Sequence, residues 1–494
     1  MASLLTRAWL EEHRKNEWLP LHPERVIQFG EGNFMRGFVD WLFHRLNQGG
    51  LFGGSVVVVT PLASGAKKIK EINDQDGLYT VWLRGNENAQ VIDQAEIVQS
   101  IARAIDPYEN WQEILRCAEN RTIDIILSNT TEAGIAYETE PYDPHRCPAS
   151  FPAKVTAYLY ARYQAFDGDP QTGMMIIPCE LIEQNGDQLR EIVLRHAQDW
   201  QLPDGFISYI KEANHFYNTL VDSIVTAFQS PGSADLPSSV TYEDKNGILR
   251  EPFYLWVIEG DDQIAAKLPF SQLGLHVRYV TDVTPFRQIK VRILNGAHTS
   301  LAGLATLAEL ETVREVIQHP VIGTFIKHLL EQEVHVSLQN STLAQSDVVN
   351  FTNDVIERFT NPLLHHAIAS LQLNMLAKLR ERVLPSILSY YQLQNTLPKH
   401  LMLAFAGQLL FTHPATQATR SWVWRDDVGK QDRLKEAWEL EHQEGLRRSV
   451  QTICSDLAFW GEDLSQIPGF VDHVTFDLQQ LRRHGVVATI QQYE

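Results

Sequence analysis

The hydrophobic residues follow two different patterns along the chain. In the first half, short continuous apolar runs at residues 25–29 and 56–59 are typical of parallel strands that are buried on both faces. Between them, residues 34–48 carry apolar side chains at helical spacing, with Phe38 and Leu42 on one face. A strand, a glycine-containing turn, a helix and a second strand predict one βαβ unit.

Further apolar runs extend this half of the chain. Residues 123–127 and 174–177 predict two more buried strands, and residues 76–82 predict a turn into an antiparallel insertion. Residues 1–24 predict a short leading helix. Residues 229–251 are rich in Ser, Pro, Gly and charge, which predicts a surface loop or hairpin.

The pattern changes at residue 284, after which long helical patterns rich in Leu, Ala, Glu and Gln dominate. Prolines break these helical patterns at Pro320, Pro362, Pro385 and Pro398. We therefore predict an α/β fold with two domains. Residues 1–283 form a Rossmann-like dinucleotide-binding domain with insertions, and residues 284–494 form an all-helical substrate and catalytic domain.

The composition excludes several classes of function. The net charge is −19 and no basic stripe is present, so nucleic acid is not an expected partner. No apolar run reaches the about 18 residues of a membrane span, and the N-terminal residues lack the apolar core of a signal peptide. The four cysteines stand far apart, which favours reduced thiols and a cytoplasmic protein. The sequence does not reveal the oligomeric state.

The turn after the first strand is a candidate dinucleotide site. Gly30 and Gly32 allow the backbone to approach a pyrophosphate, whose charge the following helix N-terminus stabilises. Met35 stands where the usual G-x-G-x-x-G pattern has its third glycine. The second strand ends without the Asp or Glu that usually binds the adenosine ribose, and lysines follow at positions 67, 68 and 70. The local residues leave NAD and NADP both open.

A second candidate site is the stretch at residues 290–298, KVRILNGAH, which follows a Thr-Pro helix-start signal. In a regular α-helix, Lys290, His298 and Asn295 lie at roughly 0°, 80° and 140° around the axis. A potential proton donor, an imidazole and an amide then share one half of the helix. Spacing alone also fits a surface lysine with two polar core residues.

The pattern K-x4-N-x2-H in this stretch resembles the signature of the long-chain polyol dehydrogenases, the mannitol dehydrogenase family. Three more motifs follow the family's order: IQFGEGNFMR at residues 27–36, SNTTEAG at residues 128–134 and PCEL at residues 178–181. Together they are similar to the branch of the family that acts on sugar acids. The resemblance extends from about residue 25 to the C-terminus.

The resemblance implies that the protein binds NAD(H) at two loops of its N-terminal domain. The residues expected to contact the cofactor are Gly30, Gly32, Asn33, Phe34 and Arg36 in the glycine turn and Thr130, Thr131 and Glu132 on the nicotinamide side.

For the substrate, the resemblance implies contacts from Lys378 and Asp222. Polyol-oxidising members have an asparagine where this chain has Leu181, and the amide of that asparagine helps to hold the reacting oxygen. Either Asn185 replaces this amide or the site has fewer donors. The same members have an arginine where this chain has Ser370, so the contacts to the substrate must differ.

The implied activity is the reversible NAD(H)-dependent reduction of a keto sugar acid, such as D-tagaturonate to D-altronate. Lys290 is the expected general acid, which requires desolvation to lower its pKa from about 10.4. Asn295 is expected to donate to the developing oxyanion, and His298 to orient the substrate. No metal-ligand spacing such as H-E-x-x-H occurs, so we expect no catalytic metal.

Alternatives remain within and outside the family. Fructuronate reduction and mannitol-type oxidation are sister activities, and Leu181 and Ser370 count against the second. A non-catalytic dinucleotide-binding sensor is the alternative from another class. The complete set of Lys290, Asn295 and His298 counts against a sensor.

Overall fold

A computed structural model describes residues 3–87, 90–227, 240–362, 366–417 and 425–493. The chain divides into two compact units, Met1–Val283 and Thr284–Glu494. The described residues of the N-terminal unit form three sheets with helices, and those of the C-terminal unit are helical apart from isolated bridges. The predicted fold class is confirmed.

The strands of the N-terminal unit are β1 Glu24–Phe29, β2 Ser55–Val59, β3 Tyr79–Glu87, β4 Gln90–Val98, β5 Ile101–Ile105, β6 Ile125–Ser128, β7 Met175–Pro178, β8 His215–Phe216, β9 Thr219–Asp222, β10 Val225–Ala227, β11 Ile248–Arg250, β12 Leu255–Glu259 and β13 Val277–Val280. Its α-helices are α1 Arg7–His13, α2 Asp40–Gln48, α3 Ala66–Asp74, α4 Trp111–Ala118, α5 Phe151–Ala165, α6 Asn185–Asp199, α7 Asp204–Glu212 and α8 Asp262–Lys267. The leading helix predicted for residues 1–24 is shorter than expected.

The central sheet is parallel and has the order β5-β2-β1-β6-β7-β8. Its strands are continuous apolar runs because both faces are covered. In β2, Val56 and Val58 pack into one hydrophobic core, whereas Val57 and Val59 pack into the core on the opposite face. This arrangement confirms the buried strands predicted at residues 25–29, 56–59, 123–127 and 174–177.

Two smaller sheets belong to the same unit. Strands β3 and β4 pair antiparallel from Tyr79↔Val98 to Glu87↔Gln90, within the sheet β10-β11-β3-β4, so the predicted antiparallel insertion is confirmed. The third sheet has the order β13-β12-β9. Of the loop predicted at residues 229–251, residues 229–239 lie outside the described residues, and its last residues form β11.

The α-helices of the C-terminal unit are α9 Thr284–Ile289, α10 Gly296–Leu307, α11 Val313–Gln318, α12 Pro320–His328, α13 His335–Ser337, α14 Gln345–Phe359, α15 Ile368–Leu371, α16 Met375–Lys378, α17 Leu384–Gln394, α18 Lys399–Thr412, α19 Pro414–Gln417, α20 Val428–Glu444, α21 Leu446–Cys454, α22 Leu457–Trp460 and α23 Phe470–Tyr493. In the described part of this unit, three π-helical segments connect some of them: Lys290–Asn295, Leu329–Val334 and Leu379–Val383.

Helices α10 and α18 form the centre of the C-terminal unit. Both are buried almost all round, as expected for helices that are apolar on every face. They approach closely at glycines: a Cβ on Gly303 would lie 2.7 Å from the Cα of Gln408. The Nε2 of Gln408 donates to the carbonyl of Thr299, which fixes the register of the two helices. No helix in the described ranges is long and apolar enough to cross a membrane.

Candidate functional site

The glycine turn and the loop after β6 meet at one edge of the parallel sheet. Strand β1 lies between β2 and β6, where the strand order changes direction, and ligands of such sheets bind outside the carboxyl ends at this point. Gly30, directly after β1, has a φ of +130°, and a Cβ there would lie 2.8 Å from the carbonyl oxygen of Asn129. Glycine is therefore required at this position.

The space beside Gly32 is open. No atom lies within 4 Å of the place where a Cβ on Gly32 would stand. A helix begins immediately after it, with a π-helical segment at Met35–Val39, and its first N–H groups have no intrahelical acceptors. The Asn33 side chain accepts from Arg36, and the Phe34 ring centroid lies 5.1 Å from that of Phe38. No side chain caps the π-helical segment, so backbone N–H groups remain available to an anion.

Arg36 is buried and its guanidinium binds protein groups. Its Nε donates to the carbonyl of Glu31, Nη2 to Oδ1 of Asn33, and Nη1 to the carbonyl of Asn246. Burial lowers the pKa of Arg36, and nearby acidic groups partly offset this effect. These contacts fix the shape of the glycine turn, whereas the sequence predicted a direct contact with the cofactor.

An acidic side chain stands at the end of β2, where the sequence showed none. Glu31 reaches there from the glycine turn and accepts a hydrogen bond of 3.1 Å from the Thr60 hydroxyl. A Cβ on Gly65 would lie 2.5 Å from the same carboxylate, so the following turn passes close to it. Sequence analysis did not predict this role for Glu31, because the residue belongs to the glycine turn and is distant in sequence from the end of β2.

The lysines after β2 are paired along their own helix, α3. Lys70 forms an ion pair of 2.7 Å with Asp74, and Lys67 and Lys68 both pair with Glu71. The side chains of Lys67 and Lys70 are 89% and 75% exposed. The positive charge of this helix is therefore largely balanced by its own acidic residues.

The loop after β6 is held by a buried carboxylate from the next strand end. The Ser128 hydroxyl and both the N–H and the hydroxyl of Thr130 donate to Glu180. Burial raises the pKa of Glu180, and these hydrogen bonds oppose the rise. Thr131 has a φ of +80°, which is strained for a β-branched residue, and such strain concentrates at functional sites. The side chain of Glu132 lies outside the described part of the chain.

Asn185 and Asp222 lie in the interior of the N-terminal unit. The Asn185 amide donates to the carbonyls of Pro178 and Glu180 and to the hydroxyl of Thr219. Its oxygen accepts the N–H of Thr219. Asn185 therefore cannot also hold a substrate oxygen in this conformation, which favours the alternative of a site with fewer donors. Asp222 is buried at the end of β9.

Leu181 and Ser370, the two departures from the polyol-oxidising members, also have defined surroundings. Leu181 is 47% exposed and offers no hydrogen-bonding group from its side chain. Ser370 is exposed, and its hydroxyl donates to the carbonyl of Ala367. Leu181 therefore supplies no amide and Ser370 no cation at these two positions.

In the C-terminal unit, Lys290 and Asn295 begin and end one π-helical segment. The N–H of Gly296 donates to the carbonyl of Val291, an i→i+5 bond that widens the turn. The angles predicted for a regular α-helix are therefore wrong across this segment, because the wider turn changes the rotation per residue. Such π-helical turns frequently occur at functional sites. Lys290 is 9% exposed.

His298 follows on α10 and lies against two rings. The Phe359 ring is 4.3 Å and the His366 ring 4.7 Å from its centroid. Its Nε2 is buried and has no hydrogen-bond partner among the described residues. Burial holds the pKa of His298 well below its ordinary value, and nearby cationic residues add to this effect. His298 is therefore neutral at pH 7.

Three cations lie near His298, and we define them as the positive cluster: Arg358, Lys378 and Arg382. The His366 ring also contacts His298, and burial lowers the pKa of His366 from its ordinary value. Sequence analysis predicted a substrate contact from Lys378 and did not identify His366 or Arg382 as site residues. Arg382 stands four residues after Lys378, one helical turn away, which was a usable signal. The Lys378 Nζ donates to the carbonyl of Leu371 at 2.9 Å.

Within the residues that the structure describes, no group of three or more His, Cys, Asp or Glu side chains is arranged to hold a metal ion. The four cysteines are free thiols.

Protein-family models match nearly the whole chain. The model described as the mannitol dehydrogenase Rossmann domain matches residues 24–272, and the model described as the mannitol dehydrogenase C-terminal domain matches residues 282–482. The altronate oxidoreductase of Bacillus subtilis (strain 168) is 40% identical over 472 residues, which are 96% of this chain and 95% of the relative. That of Klebsiella pneumoniae (strain 342) is 39% identical over 473 residues, 95% of this chain and 97% of the relative.

Two solved structures share the fold. Mannitol 2-dehydrogenase of Pseudomonas fluorescens, solved as a ternary complex with NAD and D-mannitol, has a TM-score of 0.72 at 18% identity and 99% coverage of both chains. A D-sorbitol dehydrogenase in substrate-free form has a TM-score of 0.81 at 18% identity, covering 99% of this chain and 100% of the other. At this identity the likeness concerns the fold alone. With the family models and the relatives, it leads to one conclusion: the chain belongs to the mannitol dehydrogenase family.

Proposed function

We propose that the protein catalyses the reversible NAD(H)-dependent reduction of a keto sugar acid, with D-tagaturonate and D-altronate as the pair. The observation that carries this proposal is the arrangement in the C-terminal unit. Lys290 and Asn295 lie on one π-helical segment, and neutral His298 follows them inside the positive cluster. The name altronate oxidoreductase, borne by relatives at 36–40% identity, supports the choice of substrate.

NAD(H), when bound, supplies or accepts the hydride. The open space at Gly32 and the helix N-terminus after it would hold its pyrophosphate. The loop that contains Thr130 and Thr131 would contact the nicotinamide half. Glu31 would accept a hydrogen bond from the adenosine ribose. Because the lysines of α3 are already paired, little free positive charge remains for a 2′-phosphate, which supports NAD(H) over NADP(H).

The protein's own chemical step is the movement of one proton. The Lys290 Nζ would give a proton to the carbonyl oxygen of the substrate as that oxygen becomes a hydroxyl, and would take it back in the reverse direction. Burial disfavours a charged ammonium and so helps a lysine to release its proton.

Asn295 and His298 would orient the substrate. The Asn295 amide has no hydrogen-bond partner within the described ranges, so it is free to donate to the same oxygen. The orphan Nε2 of His298 would bind a substrate hydroxyl, because a buried polar atom without a partner is costly unless a ligand satisfies it. A metal is not required if these three residues polarise the carbonyl.

A spectrophotometric assay tests the proposal directly. NADH oxidation is measured with D-tagaturonate, D-fructuronate and neutral D-fructose, before and after prolonged treatment with a chelator. We expect D-tagaturonate to be reduced with the highest kcat/KM and the chelator to leave turnover intact. Efficient reduction of fructose would favour a mannitol-type enzyme, and no turnover with any substrate would favour a sensor.

A further inference from the structure

We infer that Arg382 binds the carboxylate of the substrate and thereby makes the site selective for ketohexuronates over neutral ketoses. This inference rests on the proposed function, because it concerns the same site and reaction. Arg382, and not Lys378, would then be the main contact of the substrate carboxylate.

Arg382 lies beside the proposed catalytic turn. Its π-helical segment, Leu379–Val383, packs against the segment Lys290–Asn295 and against α10. A Cβ on Gly296 would lie 3.2 Å from the carbonyl oxygen of Arg382, so the two backbones are in close contact two residues before His298. Arg382 also contributes to the positive potential at the His298 ring.

The Arg382 guanidinium is half-buried and is not neutralised. In the described part of the chain it has no hydrogen-bond or ion-pair partner, and its nearest acidic influence is the exposed neighbour Glu381. A half-buried arginine without an acceptor carries a desolvation cost that a bound anion would remove. Its planar group binds a carboxylate through two parallel hydrogen bonds.

Among the neighbouring cations, Lys378 and Arg358 already interact with protein groups, and Arg380 is exposed. Lys378 donates to the carbonyl of Leu371 and lies near Asp426. The guanidinium of Arg380 lies against Gly461, where a Cβ would be 2.7 Å from its Nη2. Arg358 precedes Phe359, whose ring packs on His298, and it adds positive potential there. Arg382 is therefore the cation of this group best placed to bind a new anion.

The charge of the whole protein makes such a local cation necessary. At a net charge of −19, the overall field repels an anionic substrate, so a pocket must supply positive charge. A ketohexuronate carries its ketone and its carboxylate near opposite ends of a six-carbon chain. Lys290 and Arg382, on two adjacent π-helical segments, offer one group for each end.

The test compares Arg382→Met with Arg382→Lys and with the matched control Arg380→Met. The control removes an arginine from the same segment whose guanidinium lies against Gly461. Each variant is assayed with NADH against D-tagaturonate and against D-tagatose, which carries a hydroxymethyl group in place of the carboxylate. Circular dichroism and NADH fluorescence confirm that each variant folds and binds the cofactor.

We expect Arg382→Met to lower kcat/KM for D-tagaturonate by roughly 10- to 150-fold, mainly through KM, with little change for D-tagatose. Arg382→Lys should recover part of the loss, because it keeps the charge but not the paired hydrogen bonds. Arg380→Met should behave like the wild type.

Two outcomes overturn the inference and can be told apart. If the wild type prefers D-tagaturonate and Arg382→Met keeps that preference, another residue binds the carboxylate and the proposed function stands. If the wild type reduces D-tagatose as efficiently as D-tagaturonate, the sugar-acid assignment fails and the inference fails with it.

Discussion

Around the glycine turn of the N-terminal unit, charged side chains bond to protein atoms, whereas the C-terminal unit gathers cations around a buried imidazole. Arg36 and Glu180 each make three hydrogen bonds to protein groups. By contrast, Arg382 has no acceptor and the Nε2 of His298 no hydrogen-bond partner among the residues described.

This difference in hydrogen bonding between the two units indicates how each unit would recognise its ligand. Every dinucleotide has the same pyrophosphate, so backbone N–H groups suffice, and the side chains around them serve to hold the backbone in shape. A sugar acid is distinguished by its charge and its hydroxyls, so its site needs side chains that the protein itself leaves unsatisfied.

The largest effect is expected from removing the proposed proton donor. We expect Lys290→Ala to lower the rate of D-tagaturonate reduction by at least roughly 10²- to 10⁴-fold. NADH binding, measured by fluorescence, should survive because the glycine turn belongs to the other unit. Gln288→Ala, an exposed position two residues earlier, is the control. A Lys290→Ala enzyme with near-normal turnover would remove lysine from the mechanism.

Asp40 is a buried carboxyl of the N-terminal unit that is only partly paired, and it predicts a pH dependence. Its Oδ2 accepts from Gln28, but its Oδ1 has no partner in the described residues, and burial raises the pKa of Asp40 from 3.8 to about 7. The stability that the protonated Asp40 carboxyl contributes is fully present below its ordinary pKa of 3.8 and is lost as the pH rises through about 7.

We therefore expect Asp40→Asn to be more stable than the wild type at pH 8.5 and to lose the decline between pH 5 and pH 8.5. The gain has an upper limit of about 4 kcal/mol, at about 1.4 kcal/mol per pKa unit. Urea unfolding at several pH values measures it. If the two stability curves run parallel, Asp40 does not titrate in this range.

Gly30 and Gly32 are expected to have different roles: Gly30 permits the backbone conformation of the turn, and Gly32 leaves space for the cofactor. Gly30→Ala should destabilise the protein by about 1–3 kcal/mol, because its φ of +130° and the Asn129 carbonyl both exclude a Cβ. Gly32→Ala should change stability by less than about 0.5 kcal/mol and yet weaken NADH binding. Thermal unfolding and NADH titration test this pair. Unchanged NADH affinity in Gly32→Ala would place the pyrophosphate elsewhere.

The smallest expected effect concerns the lysines of α3. NADH should give a higher kcat/KM than NADPH, and Lys68→Ala should change that ratio by less than about fivefold, because Lys68 is already paired with Glu71 and surface ion pairs contribute only about 0–1 kcal/mol. Lys70→Ala is the matched control on the same helix. A preference for NADPH that Lys68→Ala reverses would show that Lys68 faces the ribose.

The sequence by itself determined the architecture and much of the local chemistry. The valine run of β2, the turn at Gly30 and the helical pattern from residue 284 are local signals, since burial on a strand or helix repeats over a few residues. The family motifs likewise lie in short stretches, and they predicted the family and the fold class correctly.

Only the tertiary structure decided which polar groups are satisfied. It showed that Asn185 bonds to the backbone around Pro178 and Thr219, that Glu31 supplies an acidic group at the end of β2, and that Arg382 lies beside Gly296. Whether a side chain is satisfied depends on partners that are distant in sequence and on turns such as the π-helical segments. The spacing of hydrophobic residues cannot predict these partners, because the groups that form such hydrogen bonds and ion pairs are brought together only when distant segments pack.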